Sequence, residues 1–203
     1  MILTDKEIRK LCNPERNTCM IKPFTEDALQ SESYDLSIGT DIQVMNKSVK
    51  CIELDDQNAI DEMYENKKID KSGYILSPKE YVLVSLKEEI MLPDDITAHI
   101  RPRTRFTRLG LIVSAQHCNS TYHGKLYLGL YNATDYAIKL LSGTKIAQIV
   151  FEELKAIPSE EKQYKNKKDA QYQDEDEFRG ANFSDEFNQK VDKMVDYLLG
   201  GKH

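Results

Sequence analysis

The sequence predicts a mainly β protein, a barrel or sandwich, with a short N-terminal helix and an amphipathic C-terminal helix. Three observations carry that expectation. Short apolar or alternating runs recur between turn residues, most clearly at 81–86, 126–130 and 146–151. Thr4 and Glu7 have capping-box spacing, with Leu3 and Ile8 placed to staple the helix entry. Near the end, Phe187, Val191, Met194, Val195, Leu198 and Leu199 recur at helical spacing between Ser184 and Gly200-Gly201.

Taken in order, the first helix runs from Thr4 to about Leu11. A strand begins at Tyr34, where Leu36, Ile38, Ile42 and Val44 supply the apolar face, and Gly39 is expected to turn it. Asp35 within that strand is either an exposed carboxylate or a structural or subunit-contact group. Residues 54–72 are polar and read as a surface excursion with one helical turn at 59–64. A turn at 76–80 leads to the buried strand 81–86. The Pro93-Asp94-Asp95 turn precedes a strand at 96–100. Further strands follow at 111–113, 126–130, 137–140 and 146–151, with turns at 119–124 and Ser142-Gly143.

Composition then changes. Lys162, Lys165, Lys167 and Lys168 are followed by Asp174, Glu175, Asp176 and Glu177. Charge blocks of this kind belong to mobile segments, although Tyr164, Tyr172 and Phe178 would let this one order over a ligand. The expected organisation is a β core over 1–154, a charged tail over 155–183 and a helix over 184–200.

The chain has 203 residues and a net charge of -6, with a pI near 5.3. One domain suits that length. The acidic balance argues against general binding to nucleic acid or to an anionic membrane. Cys12, Cys19, Cys51 and Cys118 have irregular spacing and read as free thiols of a reducing compartment. No apolar run approaches the roughly 18 residues of a span, and the N-terminus lacks a signal-peptide layout. The expectation is a soluble cytoplasmic protein.

Against this acidic background, residues 100–111 read I-R-P-R-T-R-F-T-R-L-G-L, with Arg101, Arg103, Arg105 and Arg108 close together. Pro102 blocks a helix through the start of the run, and Gly110 suits a turn or close approach. Planar guanidinium forks grip phosphate oxygens well. A solvated basic turn is the other reading of the same residues.

The motifs also follow a known order. I-L-T-D-K-E-I, S-Y-D-L-S-I-G, L-P-D-D-I, R-T-R-F-T-R-L-G-L, Y-H-G-K-L-Y-L-G-L-Y-N, G-T-K-I-A-Q-I-V-F and A-Q-Y-Q succeed one another from Ile2 to about Gly180. In this order the chain resembles the dCTP deaminase family, within the superfamily that contains the trimeric dUTP diphosphatases. The resemblance implies a distorted, dUTPase-like β-barrel and a homotrimer with sites between subunits. It also implies a deoxynucleoside triphosphate ligand, dCTP or dUTP, carrying Mg²⁺ on its phosphates. Carried over by position, Arg103, Thr104 and Arg108 match the family's phosphate and water-network group, and Arg105 replaces a serine there. Ala115 falls where a backbone carbonyl positions water, and Gln148 lies near the base or triphosphate. Tyr122 counts among the substrate contacts, and Lys168 and Tyr172 belong to the tail that folds over the nucleotide. No zinc is expected, because the His-x-Glu and Pro-Cys-x-x-Cys signature is absent.

Two positions depart from the family. The proton-shuttling glutamate of the deaminases is Gly129 here. The aspartate before the glycine turn is Asn119, which orients water but accepts no proton. His117 and His123 flank it and are candidate replacement bases. Cys118 reads as a small buried residue, and Glu152 and Glu153 as solvent-facing. Three functions follow: a dCTP deaminase forming dUTP or dUMP, a dUTP diphosphatase, or a nucleotide-binding trimer without turnover. On this reading Gly129→Glu would raise deamination and Asn119→Asp would raise diphosphate hydrolysis.

Overall fold

A computed structural model of the chain describes residues 1–12, 19–184 and 187. Among them are eleven strands and three α-helices. Helix α1 (Asp5–Leu11) starts as the sequence predicts: the Glu7 carboxylate accepts the Thr4 N–H at 3.0 Å. Leu3 and Ile8 are both buried beneath it. The Leu3 N–H donates to the Phe151 carbonyl at 2.9 Å, so the N-terminus is stitched to the last strand.

After the two-residue β1 (Ile21–Lys22), strand β2 (Tyr34–Met45) organises the sheet. The turn expected at Gly39 is not there; the strand runs through it. A Cβ at Gly39 would lie 2.4 Å from Ser85 Oγ, so this glycine permits a close approach between strands. On either side of it β2 changes partner. Residues Tyr34 to Ser37 pair with β11 (Lys145–Glu153), whereas Ile38 to Val44 pair with β5 (Tyr81–Met91), with a register slip between Ile38 and Ile42. One strand thus serves both halves of a curled sheet.

The polar excursion holds more structure than the sequence suggests. Helix α2 (Gln57–Asp61) begins earlier than expected, capped by Asp56, whose carboxylate accepts the Ala59 N–H at 3.1 Å. Strand β3 (Tyr64–Lys68) then pairs with the outer end of β2. Its Y-E-N-K-K sequence has one apolar residue and no buried face, so neither period of hydrophobicity marks it.

The remaining elements are β4 (Tyr74–Leu76), β6 (Ile96–Pro102), α3 (Thr104–Leu109), β7 (Leu111–Val113), β8 (Gln116–Cys118), β9 (His123–Asn132) and β10 (Ile138–Leu140). Strand order is β7-β9-β5-β2-β11-β6-β8, with β1 added to β5 and β3 to β2, while β4 and β10 form a separate ribbon. The sheet curls into a half-barrel around Leu36, Ile38, Val84, Leu128, Ile149 and Phe151, all fully buried. Pro102 closes β6, and α3 starts only beyond it. Gly110 ends α3 at φ +85°, the left-handed conformation that glycine adopts without strain.

The charged tail lies against the sheet. It forms two 3-10 turns, Glu160–Lys162 and Tyr164–Asn166. It then docks on β9, where the Asp174 N–H donates to His123 O and the Lys125 N–H to Glu175 O, each at 2.8 Å. The helix expected over 184–200 falls outside the described residues, apart from Ser184 and Phe187.

Candidate functional site

Pairing of β2, β11 and β6 sets Asp35, Gln148 and Arg101 abreast across three neighbouring strands. Asp35 is 2% exposed, which removes the exposed-carboxylate reading. Its Oδ2 accepts from Gln30 Nε2 at 3.2 Å and contacts the Arg103 guanidinium. Arg103 therefore directs its charge to a buried partner within the same chain. Thr104, Arg105 and Arg108 are exposed along α3. Among the described residues, Arg101, Arg105 and Arg108 form no ion pair.

A second locus lies on the other half of the sheet. A cavity of about 460 Å³ opens between β8, β9 and the docked tail. Of the residues singled out from sequence it is lined by His117, Cys118, Asn119, Tyr122, Tyr164, Tyr172 and Phe178. Arg103, Arg105, Arg108, Ala115, Gln148 and Lys168 do not line it. The predicted site residues thus divide between an arginine face and a cavity of the same chain.

The turn after β8 shapes the cavity floor. Thr121 sits at φ +65° there, its hydroxyl accepts the Lys165 N–H at 3.1 Å, and its carbonyl accepts Gln173 Nε2 at 3.2 Å. The Tyr122 hydroxyl donates to Lys125 O at 3.0 Å, and burial raises its pKa far above the ordinary phenol range. Burial likewise pushes the Tyr127 phenol and the Cys118 thiol up to about 12, so both remain protonated at neutral pH. At the rim, His117 Nδ1 lies 3.4 Å from His99 Nδ1. His123 points elsewhere: its ring bridges Glu89 at 2.7 Å and Asp174 at 2.6 Å, fastening the tail.

Gly129 pairs with Leu83 of β5, on the face of β9 that carries Tyr127. A Cβ there would lie 2.2 Å from the Tyr81 hydroxyl oxygen and 2.8 Å from its ring carbon Cζ. The phenol fills the space a side chain at 129 would enter.

Glu175 is among the lining residues that sequence reasoning missed, with Tyr127 and Arg179. It is 5% exposed, and its Oε1 accepts the Arg179 N–H at 2.8 Å. Burial pushes its carboxyl up to about 6, with the Arg179 N–H and guanidinium pulling the other way. The Arg179 guanidinium spans the carbonyls of Gln171, Gln173 and Asp174 at 2.8–3.1 Å, bracing this stretch of tail. The acidic run 174–177 read as solvated. The available signal was Gly124, whose missing side chain makes room: a Cβ there would lie 2.8 Å from Glu175 N.

This burial sets a pH dependence. Tyr122, Tyr127, Tyr164, Tyr172 and Arg179 surround the carboxyl. The docked tail holds the Glu175 proton more tightly than a free tail, where the ordinary value is 4.5. The contribution of Glu175 to docking is therefore fully present below about pH 4.5 and is lost as pH rises through about 6. Hydrogen-exchange protection factors for residues 158–180 should fall across that window in the wild type. Glu175→Gln should flatten the Glu175 part of that fall, and an unchanged slope would assign it to other groups.

Comparison with known proteins bears on this geometry. The dCTP deaminase-like family model matches residues 2–154. The dUMP-forming dCTP deaminase of Hydrogenobaculum sp. is 34% identical over 160 residues, 78% of this chain and 86% of the relative. The dUMP-forming dCTP deaminase of Persephonella marina is 31% identical over 154 residues, 74% of this chain and 83% of the relative. Among solved structures, the dCTP deaminase of Agrobacterium tumefaciens superposes with a TM-score of 0.60 at 22% identity. That match covers 74% of this chain and 46% of the other, and it shows the shared fold. With the family match spanning the whole β core, the chain is a member of the dCTP deaminase-like family.

Proposed function

We propose that this chain binds a pyrimidine deoxynucleoside triphosphate and hydrolyses dCTP to a deoxyuridine nucleotide. The observation that carries the reading is the cavity between β9 and the tail. Its apolar, tyrosine-rich wall suits a planar base; Tyr122 and Tyr172 supply polar groups at the positions the family resemblance gives to substrate contacts, and Asn119 supplies one at the position of the family's aspartate. The unneutralised Arg105 and Arg108 complement a triphosphate with its Mg²⁺. They lie outside their own subunit's cavity, so each set serves the cavity of a neighbouring copy in a homotrimer. The reading places the protein on the cytoplasmic nucleotide pool.

A second reading, nucleotide binding without turnover, is favoured by one observation: the Tyr81 phenol fills the space at Gly129, where the family's glutamate would stand. One experiment separates the two. The purified protein is incubated with dCTP or dUTP and Mg²⁺, products are resolved chromatographically, and thermal stability is followed in parallel. Release of ammonia and a deoxyuridine nucleotide from dCTP is the expected result. Stabilisation without product selects the second reading. Pyrophosphate released from dUTP alone would move the chemistry to diphosphate hydrolysis. Neither product nor stabilisation would contradict nucleotide binding altogether.

A further inference from the structure

We infer that the Glu175 carboxylate is the general acid–base group of this cavity, carrying the proton of the attacking water in place of the strand glutamate that Gly129 lacks. This rests on the reading that the cavity takes a cytosine nucleotide.

Hydrolytic deamination needs one group to take a proton from water and return protons to the ring and the leaving amine. Neither strand nor turn offers a carboxylate: Gly129 has no side chain and Asn119 binds no proton at neutral pH. Among the described residues that line the cavity, Glu175 is the one carboxylate. The lining tyrosines Tyr122 and Tyr127 are held protonated by burial, and Cys118 likewise. His117 lies at the rim, against His99.

Glu175 is also held as a reacting group must be. Its backbone pairs beside Gly124, its carbonyl accepts the Lys125 N–H, and its Oε1 is fixed by the Arg179 N–H. A carboxyl near pH 6 both accepts and gives back a proton close to neutrality, which suits a shuttle.

The steps balance as follows. The carboxylate takes a proton from water while the water oxygen bonds to C4 of the cytosine ring. The electrons of the C4–N3 double bond move to N3, which receives that proton from the Glu175 carboxyl. The carboxylate then takes the new hydroxyl proton and delivers it to the amino group. The C4–N bond breaks, ammonia leaves and the C4 carbonyl of uracil remains.

The test compares wild type, Glu175→Gln, Glu175→Asp and Arg179→Ala for dCTP turnover across pH, with dCTP affinity measured by equilibrium titration. Glutamine keeps an oxygen for the Arg179 N–H, so the tail retains that bond. The expected result is a fall in kcat of about 10² to 10⁴-fold in Glu175→Gln, with affinity changed by no more than a few-fold. The acidic limb of the kcat/KM profile should vanish in that variant, and Glu175→Asp should recover part of the rate. Arg179→Ala, which loosens the tail, should raise KM more than it lowers kcat. Wild-type kcat in Glu175→Gln would overturn the inference alone. So would a loss confined to KM that saturating dCTP restores. Wild-type protein that binds dCTP but deaminates it at no pH would overturn both the inference and the reading beneath it.

Discussion

Arg103→Ala is expected to lower stability by about 3–5 kcal/mol, because removing one member of a buried ion pair strands the other. The Asp35 side chain is 3% exposed and the Arg103 side chain 20%. The arginine could relax toward water if abandoned, but the carboxylate on β2 could not. Arg105→Ala and Arg108→Ala, on exposed α3 positions, should each change stability by no more than about 0.5 kcal/mol. Urea unfolding of the three variants checks the contrast through the transition midpoint. Replacing both partners, Asp35→Leu with Arg103→Met, should recover much of the loss, since apolar pairs of similar size often match a buried ion pair. A wild-type midpoint for Arg103→Ala would show that the pair does not stabilise the join between β2 and the start of α3. For nucleotide affinity, Arg105 and Arg108 are accordingly the informative substitutions, since Arg103→Ala would weaken binding through the fold.

Gly129→Glu is expected to destabilise the protein and, contrary to the sequence-based expectation, to leave deamination no faster than in the wild type. A Cβ at 129 meets the Tyr81 hydroxyl at 2.2 Å and two ring carbons within 2.9 Å, so the aromatic ring must move before any side chain fits. Overpacking of this kind costs about 1–3 kcal/mol. Tyr81→Ala vacates the volume, and the double variant Gly129→Glu with Tyr81→Ala should recover stability relative to Gly129→Glu alone. Thermal denaturation together with dCTP turnover measures both effects. A single Gly129→Glu variant as stable as wild type would mean that Tyr81 moves aside freely. Recovery in the double variant would show that the two positions form one unit, in which a phenol has taken the space of a side chain at 129.

These two cases show where the sequence was informative. Local patterns carried local structure: the capping box fixed α1, and alternation of Leu126, Leu128 and Leu130 marked β9, whereas the helix α3 between Pro102 and Gly110 was not expected from the arginine run. The misses come from contacts distant in the chain. Gly39 reads as a turn until Ser85 is brought across from β5. Arg103 reads as a free phosphate ligand until β2 sets Asp35 beneath it. Glu175 sits in an acidic block that looks solvated, and only the bare backbone of Gly124 lets it in. Strand β3 owes its place to pairing with β2 and has no hydrophobic period of its own. The cavity was half legible, because Asn119, Tyr122 and Tyr172 were found through ordered motifs. Tyr127 lay within a quoted motif but was not singled out, and Glu175 gave no motif to find.

The most direct measurement is a structure of the protein with a non-hydrolysable dCTP analogue and Mg²⁺. The pyrimidine ring is predicted to lie in the cavity against Tyr127, within reach of Asn119, Tyr172 and the Glu175 carboxylate, with its phosphates on Arg105 and Arg108 of a neighbouring copy. A nucleotide bound elsewhere, with this cavity closed or empty at saturating ligand, would contradict the account.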